Sequence, residues 1–253
     1  DWEAVADDGV EFAFIRVSDG LYYEDSQFAA NWSGAAAAGL VRGAYQFFRS
    51  DEDAVAQAEL LLDTMGTLGE GDLPPVIDVE STDGQSPSTI ASKVGQWIDT
   101  VEAATGRAPI IYTGKYFWQD NVQSSQFASY PLWIANWGVS CPNLPDQWSD
   151  WVFWQTSDSG SVAGIGGDVD TNYFNGDLAA LLDLASGGAE CGDGVCNGDE
   201  TSATCPEDCP ACETIPPAGR VVDEVDPCFE AGGPPESWRT EEAGYGGSLL
   251  WTY

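Results

Sequence analysis

The chain has 253 residues, with 42 acidic against 8 basic side chains, a formal net charge of −34, 43% hydrophobic residues and 11 Trp. That charge argues against nucleic acid, whose phosphates need a basic patch, and disfavours anionic lipid, while the apolar and aromatic content supports one large domain plus an appendage. Histidine is absent, which removes Ser-His-Asp and Cys-His triads and HExxH metal sites and leaves catalysis to carboxylates, Tyr, Lys, a thiol or a bound metal.

The chain opens on Asp1 rather than Met, so a missing signal peptide carries no information. The first segment, "DWEAVADDGV", reads as a helix and turn. Short apolar runs rich in β-branched and aromatic residues then predict strands at 11–18, 40–48, 73–80, 108–114, 130–137, 150–157 and 167–174. Helices are predicted between several of them. "DSQFAANWSGAAAAGL" ends at Gly39, "SDEDAVAQAELLLDTMG" opens with Ser50 as N-cap and Asp53 three residues on, and "SPSTIASKVGQWIDTVEAATG" ends at Gly106. This alternation predicts an α/β fold, a mostly parallel sheet wound as a (β/α)-barrel, which usually closes with eight strands. A strand should precede the opening helix, so the barrel is expected to lack its first strand here. No apolar run is long enough to cross a bilayer.

Composition changes near Ser186, which sets three expected units: a barrel over 1–186, a cysteine-rich acidic segment over 187–212, and the start of a β-rich accessory module over 213–253. The middle segment holds Cys191, Cys196, Cys205, Cys209 and Cys212, five of the seven cysteines. Small residues, acids and close cysteines cannot build an apolar core, so disulfides are expected to hold it. Zinc is the lesser alternative, since only Cys209 and Cys212 have CxxC spacing; "DGVCNGDE" is oxygen-rich but lacks EF-hand spacing for calcium. Cys228 is a candidate partner for Cys212, and Cys141 is expected to pair with a residue upstream of Asp1. Disulfides imply an exported, secreted or cell-surface protein. The tail carries strand signals at "RVVDEV" and "SLLWTY".

The chemistry centres on "LPPVIDVE". Val76, Ile77 and Val79 read as buried strand, interrupted by Asp78 and Glu80. Residues i and i+2 share a face, with Cβ atoms about 6–7 Å apart from the strand rise. Both acids therefore face the barrel interior near the C-terminal strand end, while Ile77 and Val79 face the helices. Two close carboxylates resist ionising together, which keeps one protonated as glycoside hydrolysis requires. The bland alternative is a structural ion pair with Arg16. Tyr45, Phe47, Tyr112, Trp133, Trp137 and Trp154 lie on or near strand ends, where each suits either core packing or sugar stacking.

"FAFIRVSDG", "AGLVRGAYQFF", "LPPVIDVE", "GRAPIIYTG", "PLWIANWG" and "WVFWQTSDSGSVAGIGGDVDTNYFNG", in this order, resemble glycoside hydrolase family 25, the muramidases of the Chalaropsis lysozyme type. The resemblance covers nearly all of residues 1 to 184. It implies a flattened barrel that cleaves the β-1,4 bond from N-acetylmuramic acid to N-acetylglucosamine in peptidoglycan glycan strands, with no cofactor and no metal. It also implies Glu80 as general acid, Asp78 as support for the substrate N-acetyl group or the developing charge, and Asp170 of "VDTN" as a further carboxylate. Tyr112, Tyr45, Trp133 and Gln155 would bind sugar. The chain departs from the family at Gln46 and Asn136, and at the first-strand Asp expected before Asp1. The segment 191–209 resembles a short cysteine repeat of exported bacterial proteins. Two other readings remain open: a non-catalytic glycan-binding barrel, and a chitinase-like N-acetylhexosamine hydrolase.

Overall fold

The computed structural model describes residues 1–69 and 71–187. The expectations for the cysteine-rich segment, its metal alternatives and the β-rich tail fall outside the described residues.

Each of the seven strands predicted between 11 and 174 forms. In chain order the elements are α1 (Trp2–Asp7), β1 (Phe12–Asp19), β2 (Tyr23–Glu24), α2 (Phe28–Ala37), β3 (Val41–Phe47), α3 (Ala54–Met65), β4 (Val76–Asp78), α4 (Pro87–Thr105), β5 (Ile110–Gly114), a short α5 (Lys115–Phe117) running into a π-helical turn (Trp118–Val122), β6 (Leu132–Ala135), β7 (Phe153–Gly160), β8 (Val169–Phe174) and α6 (Leu178–Ser186). They build one sheet of order β2-β1-β3-β4-β5-β6-β7-β8. Pairing is parallel from β1 through β7, whereas β2 and β8 are antiparallel to their neighbours.

The sequence predicts a mostly parallel (β/α)-barrel lacking its first strand, and the sheet agrees with that in part. Among the described residues β1 does not pair with β8, so the sheet is an open half-barrel. It is also mixed, because β7 and β8 are joined by a short connection (161–168) that only an antiparallel hairpin permits. Tyr23–Glu24 is an exposed two-residue hairpin arm, too short to carry a sequence pattern.

Alternation along the strands sorts the core into two layers. Phe12, Phe14, Val41, Tyr45, Val76, Tyr112, Trp133 and Phe153 fill the concave interior. Ala13, Ile15, Val17, Ala44, Ile77, Val79, Ile111 and Ile134 face outward against Leu61, Trp97 and Ile98 of the helices. Phe14 stacks on Trp133 from across the sheet with ring centroids 4.7 Å apart, and Gly43 leaves it room, since a Cβ there would sit 2.3 Å from the Phe14 ring. The interior is therefore a solid aromatic floor, and the open space lies at the C-terminal strand ends.

The helix ends follow local chemistry with one correction. Ser86 caps α4 and Gly106 ends it in the left-handed region at φ 69°. For α3 the cap is Asp53, whose carboxylate accepts from Ala56 N at 2.9 Å, rather than Ser50. Ser50 is buried and drawn elsewhere: its hydroxyl donates to Thr82 O at 2.7 Å and its N–H to Asp83 Oδ2 at 2.8 Å. Cys141, in the loop after β6, is disulfide-bonded.

Candidate active site

β4 ends at Asp78, and the chain then turns out of the sheet through Glu80. Val79 still donates to Tyr112 O at 2.9 Å, which keeps the alternation running for two residues past the strand. Ile77 and Val79 go to the helix layer and Val76 to the interior, as the sequence pattern requires. Asp78 lies above Val76, in register with Phe47 on one side and Tyr112 on the other.

The two acids have different surroundings. Asp78 is fully buried, and neither carboxyl oxygen has a hydrogen-bond partner among the described residues. Desolvation pushes its pKa well above the ordinary carboxylate range, with further upward contributions from the charges of Glu80, Asp19 and Asp170. Glu80 stands at the mouth and is exposed. Its carboxyl is nevertheless crowded enough that desolvation raises its pKa, opposed by the positive charge of Arg49.

β8 brings in the third acid. Asp170 is buried and pushed up to about 7, first by desolvation and then by the charges of Asp158 and Glu80. Gln155 Nε2 on β7 donates to Asp170 Oδ2 at 3.0 Å. Tyr112 OH donates to Gln155 Oε1 at 3.1 Å, and Trp137 Nε1 to the same oxygen at 2.9 Å. Burial raises the Tyr112 phenol well above its usual value, helped by the negative charges of Asp78, Glu80 and Asp170, so it stays a neutral donor.

The structure brings Asp78 and Glu80 at the end of β4, Tyr112 on β5, Gln155 on β7 and Asp170 at the N-terminal start of the antiparallel β8 into one constellation. Tyr45 and Trp133 are fully buried beneath it. They form its floor and present no face to a sugar, contrary to the binding role expected of them. Trp133 Nε1 donates to Asn172 Oδ1 at 2.7 Å, which locks the ring down. Trp154 likewise turns to the outer layer, donating to Asn136 O at 2.8 Å. Of the aromatics singled out from the sequence, Trp137 is the one that is half exposed, at 49%. The ion-pair alternative is also removed: Arg16 lies 4.0 Å from Asp25 and over the Tyr23 ring, not on the acid pair.

Sequence reasoning missed the cation that serves this face. Arg49, just past β3, grips both oxygens of Asp19 at 2.5 and 2.8 Å and reaches Asp83 Oδ1 at 3.1 Å. Asp83 follows Glu80 in "ESTDG" and has φ 43°, a strained value that its four polar contacts hold in place. The arginine thus ties together the loops after β1, β3 and β4. A detectable signal was the acid or base just beyond each strand end in "SDG", "FRS" and "TDG". Among the described residues no group of His, Cys, Asp and Glu is placed to hold a metal ion, and no helix is long and apolar enough to cross a membrane.

Comparison with known proteins fixes the family. The sequence model for glycosyl hydrolases family 25 matches residues 1–165. The chain belongs to that family. Lysozyme M1 of Streptomyces globisporus is 36% identical over 73% of this chain and 67% of its own length. The N,O-diacetylmuramidase of Chalaropsis is 31% identical over 71% of this chain and 90% of its own. The crystal structure of the lysozyme from Streptomyces coelicolor superimposes with a TM-score of 0.72 at 36% identity, covering 74% of this chain and 92% of that one. The family 25 barrel is thus a glycoside hydrolase scaffold, and the carboxylates above stand where such a scaffold opens.

Proposed function

We propose that this family 25 protein is a muramidase that hydrolyses the β-1,4 bond between N-acetylmuramic acid and N-acetylglucosamine in peptidoglycan. The observation that carries the reading is the set of three carboxyl groups, Asp78, Glu80 and Asp170, at the open end of the half-barrel, each with a raised pKa. Glycoside cleavage needs an acid that is still protonated near neutral pH and a negative or polarisable partner opposite a developing oxocarbenium ion.

Glu80 is the general acid. It is the solvent-facing member of the pair, able to meet a glycosidic oxygen in the cleft, and desolvation favours its protonated form. As the C–O bond breaks, that proton passes to the leaving oxygen, which departs with the bonding electron pair. Water then supplies hydroxide to the anomeric carbon and returns a proton to a carboxylate. Asp78, buried with both oxygens unsatisfied among the described residues, is poised to meet the substrate's N-acetyl group or the charge at the anomeric carbon. Asp170 lines the opposite side of the cleft. Trp137 offers the sugar-stacking surface, with Tyr112 supporting the pocket through its hydroxyl.

Peptidoglycan lies outside the cytoplasmic membrane, and the disulfide at Cys141 suits an oxidising, exported location. Purified protein should clear a suspension of bacterial cell walls, and the released reducing ends should be N-acetylmuramic acid by mass spectrometry. Binding without clearing would leave only a glycan-binding barrel, and products ending in N-acetylglucosamine alone would reassign it to chitinase-like chemistry.

A further inference from the structure

Gln155 was expected to bind sugar, but its surroundings give it other work. It is 1% exposed. Its position on β7 pairs with Ala135 of β6 and Asn172 of β8, at the point where a bulge breaks the β7–β8 register. The two lone pairs of Oε1 are taken by Tyr112 OH and Trp137 Nε1, and one Nε2 hydrogen goes to Asp170. An indole N–H is a donor only. It therefore dictates which way the amide faces: the oxygen must point at Trp137, and the NH₂ must point at Asp170. The opposite flip would set two donors against each other and oxygen against carboxylate.

We propose that Gln155 is a positioning residue that fixes the Asp170 carboxylate and couples it to the Trp137 indole at the cleft mouth. This rests on the reading of Asp170 as a carboxylate of the muramidase site. Trp137 turns only its N–H inward; its ring is half exposed and free to take a sugar face. A sugar that presses on that ring acts on the hydrogen bond that orients Gln155, and through it on Asp170. One amide thus joins substrate occupancy in the loop after β6 to the orientation of an acid on β8. The titratable groups that face Asp170 are Asp78 and Glu80 from the end of β4, Asp158 from β7 and the Tyr112 phenol on β5, which also reaches it through Gln155.

The test uses the full chain with soluble, uncross-linked peptidoglycan strands, and wild-type melting behaviour is required of each variant. Gln155→Leu should lower kcat on the order of 10–100-fold, the scale of a misplaced catalytic group, with KM within about threefold. The double variant Q155L/D170N should be no slower than D170N alone, because Gln155 acts through Asp170. Trp137→Phe, which keeps a ring and loses the N–H, should lower kcat several-fold at unchanged KM. The isosteric Gln155→Glu guards against a folding defect. Its carboxyl can donate to Asp170 only when protonated, so its activity should recover as pH falls. Carboxyl-carbon NMR, with the Asp170 signal identified by its loss in D170N, should show that signal titrating at higher pH in Q155L, because a donor to the charged form has gone. A rise in KM alone for Q155L, full additivity with D170N, wild-type kcat in W137F, or an unmoved Asp170 titration would each overturn the positioning role. Wild-type turnover in D170N with a shifted NMR titration in Q155L would instead refute Asp170's part in the reaction while leaving the hydrogen-bond relay intact.

Discussion

Asp78 and Asp83 belong to one short stretch of chain at one end of the sheet, and their environments are opposite. Asp83 is surrounded by donors: Ser50 N–H and hydroxyl, Ser81 hydroxyl and Arg49. Partial burial alone would raise its pKa, but those hydrogen bonds and the Arg49 charge pull it below the ordinary value. Asp78 is fully buried and receives no hydrogen bond among the described residues, so desolvation and three neighbouring acids push it up. The first carboxylate stabilises the fold as an anion. The second is held in a state that costs stability and is useful only to a ligand. A site on this scaffold is recognised by which acids the protein leaves unsatisfied, not by where acids occur.

Glu80→Gln should abolish cell-wall clearing, a loss of at least about a thousandfold, with an unchanged melting temperature; residual wild-type turnover would remove Glu80 from the acid role. In the wild type, kcat/KM should fall as pH rises through the raised Glu80 pKa, because the acid loses its proton; a flat alkaline limb would contradict that assignment.

Asp78→Asn should lower activity by about a hundredfold or more and yet raise the melting temperature at neutral pH. The sign follows from linkage. A folded-state pKa above the unfolded one means the native protein binds the extra proton, so stability falls as pH rises from the unfolded pKa toward the folded one. An amide escapes that loss, and the gain of D78N should vanish in acid. Asp83→Asn should do the reverse. Its folded pKa is depressed, so its stabilisation is present above the unfolded pKa and is lost as pH falls through the folded one. At neutral pH the variant should lose about 1–3 kcal/mol in denaturant titration, with the difference fading in acid. Equal signs for D78N and D83N would dissolve the contrast.

The smallest effect should come from the helix cap. Asp53→Ala should cost about 1 kcal/mol with full activity, while Ser50→Ala should disturb the Asp83 loop and slow turnover severalfold. If D53A slows turnover more than S50A, Ser50 is not a support of the active-site loop.

Much of this was legible in the residues themselves. The seven long strands were visible because a sheet covered on its outer face by helices, with an aromatic floor inside, must be apolar on both sides. The same-face placement of Asp78 and Glu80 followed from the two-residue period of a strand, and the order of the motifs pointed to the family. Arg49 was not legible as the shared cation, since its partners Asp19 and Asp83 lie 30 and 34 residues away. Nor was the burial of Tyr45 and Trp133, because an aromatic at a strand end reads the same whether it floors a cleft or lines it.

By itself the sequence determined the strand–helix rhythm, the alternating faces of "VIDVE" and the acid chemistry available without histidine, because these depend on local periodicity and composition. It took the folded protein to show that β8 runs antiparallel to β7, that Asp78 rather than Glu80 is sealed from water, and that Gln155 turns its amide toward Asp170. Those outcomes depend on desolvation and on donors brought from distant strands, and no stretch of chain carries that information alone.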